Sequence, residues 1–401
     1  MKKGICLVLV LSLVLSLCAC SSGNSGSSGG SGDSGSSKSD YKVAMITDSG
    51  DITDQSFNQT TYEACKAFCD KNGIKFTYKK PAGDSTAERA SAVESAIDEG
   101  YNIVVMPGFS FGATIVDLSE KYTDVKFIGL DLSAGDILEA GVPKKGGTYD
   151  YNPANWNVKD YYHYENVYLA CYQEQYSGYM AGYAAVKLGY TKLGYLGGMA
   201  VPGPMKYGYG YVQGADAAAK ELGINVDMKF AYANKFVGDA DITAAMDTWY
   251  GAGTEIVFAC GAGIYTSVAE AAGKAKGKVI GVDVDQKSII DGMYGSGMTV
   301  TSALKGLYPS TYDALDDIVN KGKWSEYLGQ IKSLGLISGD DPDANYVSLP
   351  MESTQFSDKF TKEDYKVVVK GMFDGTIKVS DDLSKEPSTT NVKVEWLGNL
   401  K

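Results

Sequence analysis

From Tyr41 onward, short runs of β-branched and apolar residues alternate with stretches of helical periodicity, and no other feature constrains this chain as strongly. Residues 42–47, 74–78, 102–106 and 125–131 predict strands, and 55–72, 86–99 and 111–122 predict the helices between them. Strands that are apolar along their whole length are buried on both faces. Helices must therefore cover both sides of a parallel sheet. The rhythm breaks over 134–165, which reads as a long loop, with ten tyrosines from Tyr149 to Tyr183. It resumes at 166–170, with predicted helices at 173–188, 212–222, 241–250 and 265–274. The strands of this second series fall at 192–196, 226–232, 255–259 and 278–284. Two such series predict an α/β protein with two doubly wound parallel-sheet lobes. The chain is expected to cross back near 299–304, and Pro350 and a helix over 362–373 to lie on the second lobe. Lobe 1 is then 41–165 and 296–345, and lobe 2 is 166–295 and 346–401.

The amino terminus predicts the compartment. Lys2 and Lys3 precede an apolar stretch of signal-peptide length, too short for the roughly 20 apolar residues of a membrane span. Leu17-Cys18-Ala19-Cys20 resembles a bacterial lipobox, so residues 1–19 are expected to be removed and Cys20 to carry lipid. Residues 20–40 are dominated by Ser and Gly, a composition that cannot bury apolar surface and behaves as a tether. The expected location is the extracytoplasmic face of the cell membrane, anchored through lipid. Of the remaining cysteines, Cys65, Cys69, Cys171 and Cys260 are too few for a disulfide scaffold and read as small buried apolar residues.

Composition narrows the chemistry. The chain has 37 Lys+Arg against 49 Asp+Glu, a formal charge of −12, which argues against nucleic acid as a partner. Its one histidine is His163 and its one arginine Arg89. Multi-histidine metal clusters are excluded, and so are sites that clamp phosphate with several guanidinium forks.

In open α/β sheets, ligands bind beyond the carboxyl ends of the strands. The loops there hold Asp48 to Gln59, then Gly108 and Phe109, then Asp131. The second series supplies Gly197 to Gly203, Asn234 to Asp239, Gly261-Ala262-Gly263 and Asp283. Glycines, single carboxylates and a phenylalanine from each lobe, Phe57 and Phe236, suit a neutral, flat, hydroxyl-bearing ligand. Carboxylates accept from sugar hydroxyls, and two facing rings can sandwich a base, at about 1–3 kcal/mol per stacked base. Other roles are open to each: Asp48 and Asp54 as helix caps, the phenylalanines as core, the glycines as tight turns. Gly178 and Gly182, four apart on a predicted helix, read as close packing.

Asp54-Gln55-Ser56-Phe57-Asn58-Gln59 resembles the opening signature of the basic membrane protein (BMP) family. Tyr179-Met180-Ala181-Gly182-Tyr183, Gly281-Val282-Asp283-Val284-Asp285-Gln286 and Thr301-Ser302-Ala303-Leu304-Lys305 continue the similarity. The resemblance implies a purine-nucleoside-binding lipoprotein of an ABC transporter, with a type I periplasmic-binding-protein fold and no catalytic activity, cofactor or metal. It implies that Phe57 and Phe236 stack on the base while Asp48, Asn58 and Asp131 bond to its edges. Gly261, Asp283 and Lys305 would address the ribose, with Lys305 equally able to serve as counter-ion to Asp283. Gly108 and Phe109 complete the expected ligand-binding set. The implied partners are guanosine, inosine or adenosine and an ABC permease, with the protein itself a monomer. Two other functions compete: a metal-dependent nucleoside hydrolase built on Asp48, Asp51 and Asp54, and a surface sensor or adhesin using the tyrosine-rich face.

Overall fold

The computed structural model describes residues 40–48 and 50–400. The expected signal peptide, Cys20 and all of the tether except Asp40 lie outside the described residues. Among the described residues, no helix is long and apolar enough to cross a membrane.

The chain opens with β1 (Lys42–Ile46), α1 (Phe57–Asn72), β2 (Lys75–Lys79), α2 (Thr86–Asp98) and β3 (Ile103–Pro107). It continues through α3 (Gly112–Leu118), β4 (Lys126–Leu130), α4 (Ala134–Lys144) and β5 (Val167–Tyr172). Next come α5 (Glu174–Lys187), β6 (Lys192–Gly197), α6 (Pro202–Leu222), β7 (Val226–Tyr232) and α7 (Ala240–Gly251). β8 (Ile256–Cys260), α8 (Tyr265–Ala275), β9 (Lys278–Asp283), α9 (Lys287–Tyr294) and β10 (Thr299–Lys305) complete the second series. The remainder is α10 (Leu307–Val319), β11 (Ile331–Leu334), β12 (Val347–Ser348), α11 (Lys362–Phe373) and β13 (Val392–Asn399).

These strands form two sheets. One has the order β11-β5-β4-β3-β1-β2 and the other β12-β10-β9-β8-β6-β7-β13. All pairings are parallel except that of β10 with β12. Each sheet contains the same doubly wound core, β2-β1-β3-β4-β5 and β7-β6-β8-β9-β10, whose order reverses between its second and third strands. The apolar strands bury fully, with Val43 to Ile46, Ile103 to Met106 and Ile256 to Ala259 wholly inaccessible.

Three expectations need correction. Strand β5 belongs to the first sheet, paired in register with β4 from Phe127↔Val167 to Leu130↔Ala170, although 166–295 was expected in lobe 2. Strand β10 belongs to the second sheet, beside β9, although 296–345 was expected in lobe 1. The first two passages between sheets thus occur at Gln173 and Gly306, inside near-continuous secondary structure that carries no linker composition, and a third lies between β11 and β12. A buried apolar strand satisfies either sheet equally, so its sequence does not say which it joins. Helix α10 packs on the first-sheet core through Ala314, Leu315 and Ile318, whereas α11 joins the second through Tyr365 and Val369.

The third correction concerns 134–165, which begins with the helix α4 rather than a loop. Ser133 and Asp136 form a capping box at its start. Gly135, Gly141 and Pro143 obscured its periodicity. Gly141 is required by packing, since a Cβ there would lie 2.6 Å from Cβ of Tyr161. The tyrosines that follow fold back: Tyr149, with Trp156 and Tyr161, covers Leu138 and Val142 of α4.

Candidate functional site

The carboxyl ends of both sheets face one cleft of about 590 Å³, within the range of small-ligand sites. Asp48, Phe57, Asn58, Gly108, Phe109 and Asp131 line it from the first sheet, and Phe236, Gly261, Asp283 and Lys305 from the second. The ten residues singled out from sequence therefore converge, though several are used differently from the expectation.

The loop after β1 is built on carboxylates. Asp54 caps α1, accepting the backbone N–H groups of Ser56, Asn58 and Gln59 at 2.9–3.1 Å. Asp48 Oδ1 instead accepts from Gly50 N at 2.7 Å and from Asn58 Nδ2 at 3.1 Å. Asn58 also donates to Asp54 Oδ2 at 3.1 Å and is nearly inaccessible. Its donors are engaged within the loop, so its place in the structure is that of a brace joining Asp48 to Asp54 rather than a free base-edge contact. Gly108 follows β3 at φ 126, and a Cβ there would press on the Asp48 side chain at 3.1 Å.

Asp48, Asp51 and Asp54 do not converge. With Asp48 and Asp54 bonded as above, Asp51 pairs with Lys80 at 3.0 Å on the surface. Among the described residues, no group of three or more His, Cys, Asp or Glu is placed to hold a metal ion.

Phe236 rests on the strand ends at the second sheet's reversal point. A Cβ on Gly198, just after β6, would clash with the Phe236 ring, and one on Gly261, just after β8, would approach it to 3.2 Å. These glycines make a flat seat for an aromatic ring. That use differs from close approach of backbone to ligand.

Asp131 follows β4 and Asp283 ends β9, the fourth strand of each doubly wound core. Both adopt left-handed backbone conformations, φ 60 and 64, a turn that Asp tolerates better than most residues. Asp283 Oδ2 accepts the Ser56 hydroxyl at 2.7 Å, and Gln286 Nε2 donates to the Gln55 carbonyl at 3.3 Å. The β1–α1 loop is thereby tied to the second sheet.

Deeper in, Lys305 places its ammonium 2.9 Å from Asp131 Oδ2 and 3.1 Å from Glu174 Oε1. It lies over Tyr172, Phe57 and Tyr207, 5.3–5.6 Å from their ring centroids, a cation–π enclosure. Glu174 Oε2 approaches Lys206 at 3.4 Å, and Lys206 donates to the Tyr172 carbonyl at 3.0 Å. Lys305 is thus paired with Asp131 and Glu174, where the sequence offered Asp283. Burial pushes the Asp131 carboxyl up to about 7, with Glu174 adding to the rise and Lys305 opposing it. Burial also raises Asp283, again against Lys305. For Glu174, burial acts upward, but Lys305 and Lys206 together hold it below the ordinary glutamate value. Burial acts downward on Lys305, and the surrounding carboxylates raise it overall.

Glu174, Lys206, Tyr172 and Ser56 escaped the sequence reading. Glu174 begins the helix directly after β5, so it stands at a strand end like Asp131. The signal was there, hidden because 166–170 was not read as a first-sheet strand whose carboxyl end matters.

With this geometry in hand, comparison with known proteins is specific. Residues 41–372 match the family model Bmp, described as ABC transporter substrate-binding protein PnrA-like. The chain is 28% identical over 307 residues to the ABC transporter nucleoside-binding protein BmpA of Lactococcus lactis, covering 73% of this chain and 78% of that protein. It is 25% identical over 304 residues to an uncharacterized lipoprotein of Pyrococcus horikoshii, covering 74% of this chain and 66% of the other. Among solved structures, an ABC transporter solute-binding protein of Aeropyrum pernix aligns with TM-score 0.61 at 20% identity, over 84% of this chain and 87% of that one. One from Conexibacter woesei aligns with TM-score 0.60 at 18% identity, over 85% and 99%. The fold is of the periplasmic-binding-protein type, and the chain belongs to the Bmp family of ABC transporter substrate-binding proteins.

Proposed function

We propose that this protein is a lipid-anchored extracytoplasmic receptor that captures a neutral purine nucleoside between its two lobes and delivers it to an ABC permease. The observation that carries this reading is the pairing of one phenylalanine from each sheet, Phe57 and Phe236, within a cleft whose strand ends present Asp48, Asp131 and Asp283. The rings are suited to the two faces of a base, and the carboxylates to N–H and hydroxyl donors. The Lactococcus lactis relative's description as nucleoside-binding supports the same ligand class.

The buried charges favour a nucleoside over a nucleotide. Lys305 and Lys206 are the ammonium groups beside the buried acids Asp131, Glu174 and Asp283, and both are already paired. A phosphate would meet carboxylates with no uncommitted fork to receive it. Capture would close the lobes around the ligand, a population shift driven by contacts to both. Removal of 1–19 and acylation of Cys20 would hold the receptor at the membrane. Mass spectrometry of ligand co-purified under native conditions, followed by calorimetry with guanosine, inosine, adenosine and their monophosphates, tests the reading. Nucleoside binding without monophosphate binding supports it, and tighter binding of AMP or GMP overturns it.

A further inference from the structure

Two carboxylates share the Lys305 ammonium, and they are held very differently. The Glu174 side chain is 1% exposed, with the Lys206 ammonium of α6 3.4 Å from its Oε2. The helix that begins at Glu174 is locked to α6 by glycines at the point of contact: a Cβ on Gly178 or Gly182 would strike the Tyr207 or Tyr211 carbonyl. In return, one on Gly210 or Gly214 would strike the Gln175 or Tyr179 carbonyl. Asp131, by contrast, has a side chain 21% exposed on a left-handed turn at the cleft wall. Of the two carboxylates, Asp131 is the one with exposed surface towards the cleft and Glu174 the one enclosed.

We infer that Glu174 is a positioning residue, the fixed counter-ion that keeps Lys305 seated while Asp131 exchanges its ion pair for the ligand. This rests on the nucleoside reading above. Without Glu174, Asp131 would be the carboxylate left in ion-pair contact with Lys305, and a ligand drawing Asp131 away would leave the buried ammonium without a contact partner. The charged groups facing Asp131 are Lys305, Glu174 and the more distant Lys206, with the Cys171 thiol also near it. The phenols of Tyr172 and Tyr207, buried and neutral, complete the surroundings.

The test uses the full chain with inosine, whose N1–H is a donor, and the variants Glu174→Gln and Glu174→Asp. Glu174→Gln is expected to weaken inosine binding about tenfold and to move the midpoint of its pH dependence lower, because a charge that raises the Asp131 carboxyl is gone. Glu174→Asp keeps the charge but shortens the reach, so its midpoint stays and its loss is about threefold. Unchanged affinity in either variant overturns the inference, as does an equal loss in both with no change of midpoint. Should Glu174→Gln fail to fold, the Glu174→Asp affinity decides. If wild-type protein binds no nucleoside, that reading fails by itself. A carbon-13 titration of the Asp131 carboxyl in ligand-free protein then decides the inference: a lower midpoint in Glu174→Gln supports it and an unchanged one overturns it.

Discussion

The Ser56 hydroxyl donates to Asp283 Oδ2 at 2.7 Å, joining residues 227 apart and belonging to different sheets. Asp283 is buried, and this is the hydroxyl partner that offsets its desolvation. Removing one partner of a buried charged group costs more than the bond itself contributes, about 1–3 kcal/mol. Ser56→Ala should therefore disfavour the joined arrangement of the sheets and raise the nucleoside dissociation constant about tenfold. Calorimetry measures the affinity, and small-angle scattering should show a more expanded ligand-free protein. A wild-type constant with a wild-type radius of gyration would count against a closing role for this bond.

The Asp131 carboxyl, raised to about 7 against its usual 3.8, gives ligand binding a pH dependence near neutrality. A donor on the ligand requires the ionised carboxylate, which is the minority form below that value. Affinity for inosine should rise with pH through about 7 and level off above it, with a limiting change of about tenfold per pH unit on the acid side. In Asp131→Asn the dependence should vanish and binding should be weak throughout. Calorimetry in matched buffers reads both, and a flat wild-type profile would remove Asp131 from the recognition of that donor.

Phe57 and Phe236 were legible because Phe57 opens the helix and Phe236 stands in the loop that follow strands whose apolar runs are unmistakable, and Asp131 and Asp283 end such runs themselves. The first two passages between sheets were not legible. Strands β5 and β10 are almost wholly buried like their neighbours, and the choice of sheet is made by pairing with β4 and β9, a long-range relation that local pattern does not carry. Glu174 was lost with β5. Asn58 was visible as a residue of the cleft, but its use as a brace depends on three atoms of Asp48 and Asp54 meeting its amide, which spacing alone does not specify.

Stacking makes a separate claim about the two rings. Phe57 and Phe236 are half-buried and both line the cleft, but Phe57 also packs against the buried cluster of Tyr172, Leu307 and Val347. Phe57→Ala and Phe236→Ala should each weaken nucleoside binding by tenfold or more, from about 1–3 kcal/mol of base stacking, with little change in melting temperature for Phe236→Ala and some loss for Phe57→Ala, whose ring also packs on Tyr172, Leu307 and Val347. Loss of melting temperature with unchanged affinity would assign the ring to the core.

Two glycines distinguish a ligand seat from a structural contact. A Cβ on Gly198 would collide with the Phe236 ring, the mobile end of a side chain, whereas one on Gly182 would collide with the Tyr211 backbone carbonyl. The ring can swing away, at the expense of its stacking position. The carbonyl belongs to α6, and yielding there means separating two helices. Gly198→Ala should thus weaken nucleoside binding while leaving the melting temperature nearly unchanged. Gly182→Ala should destabilise the fold by about 1–3 kcal/mol through overpacking, and among protein that remains folded it should shift α5, and with it Glu174, relative to Lys206. Thermal unfolding and calorimetry on both variants read the two effects separately. Equal loss of melting temperature in both would mean that Gly198 supports the fold and not the ring.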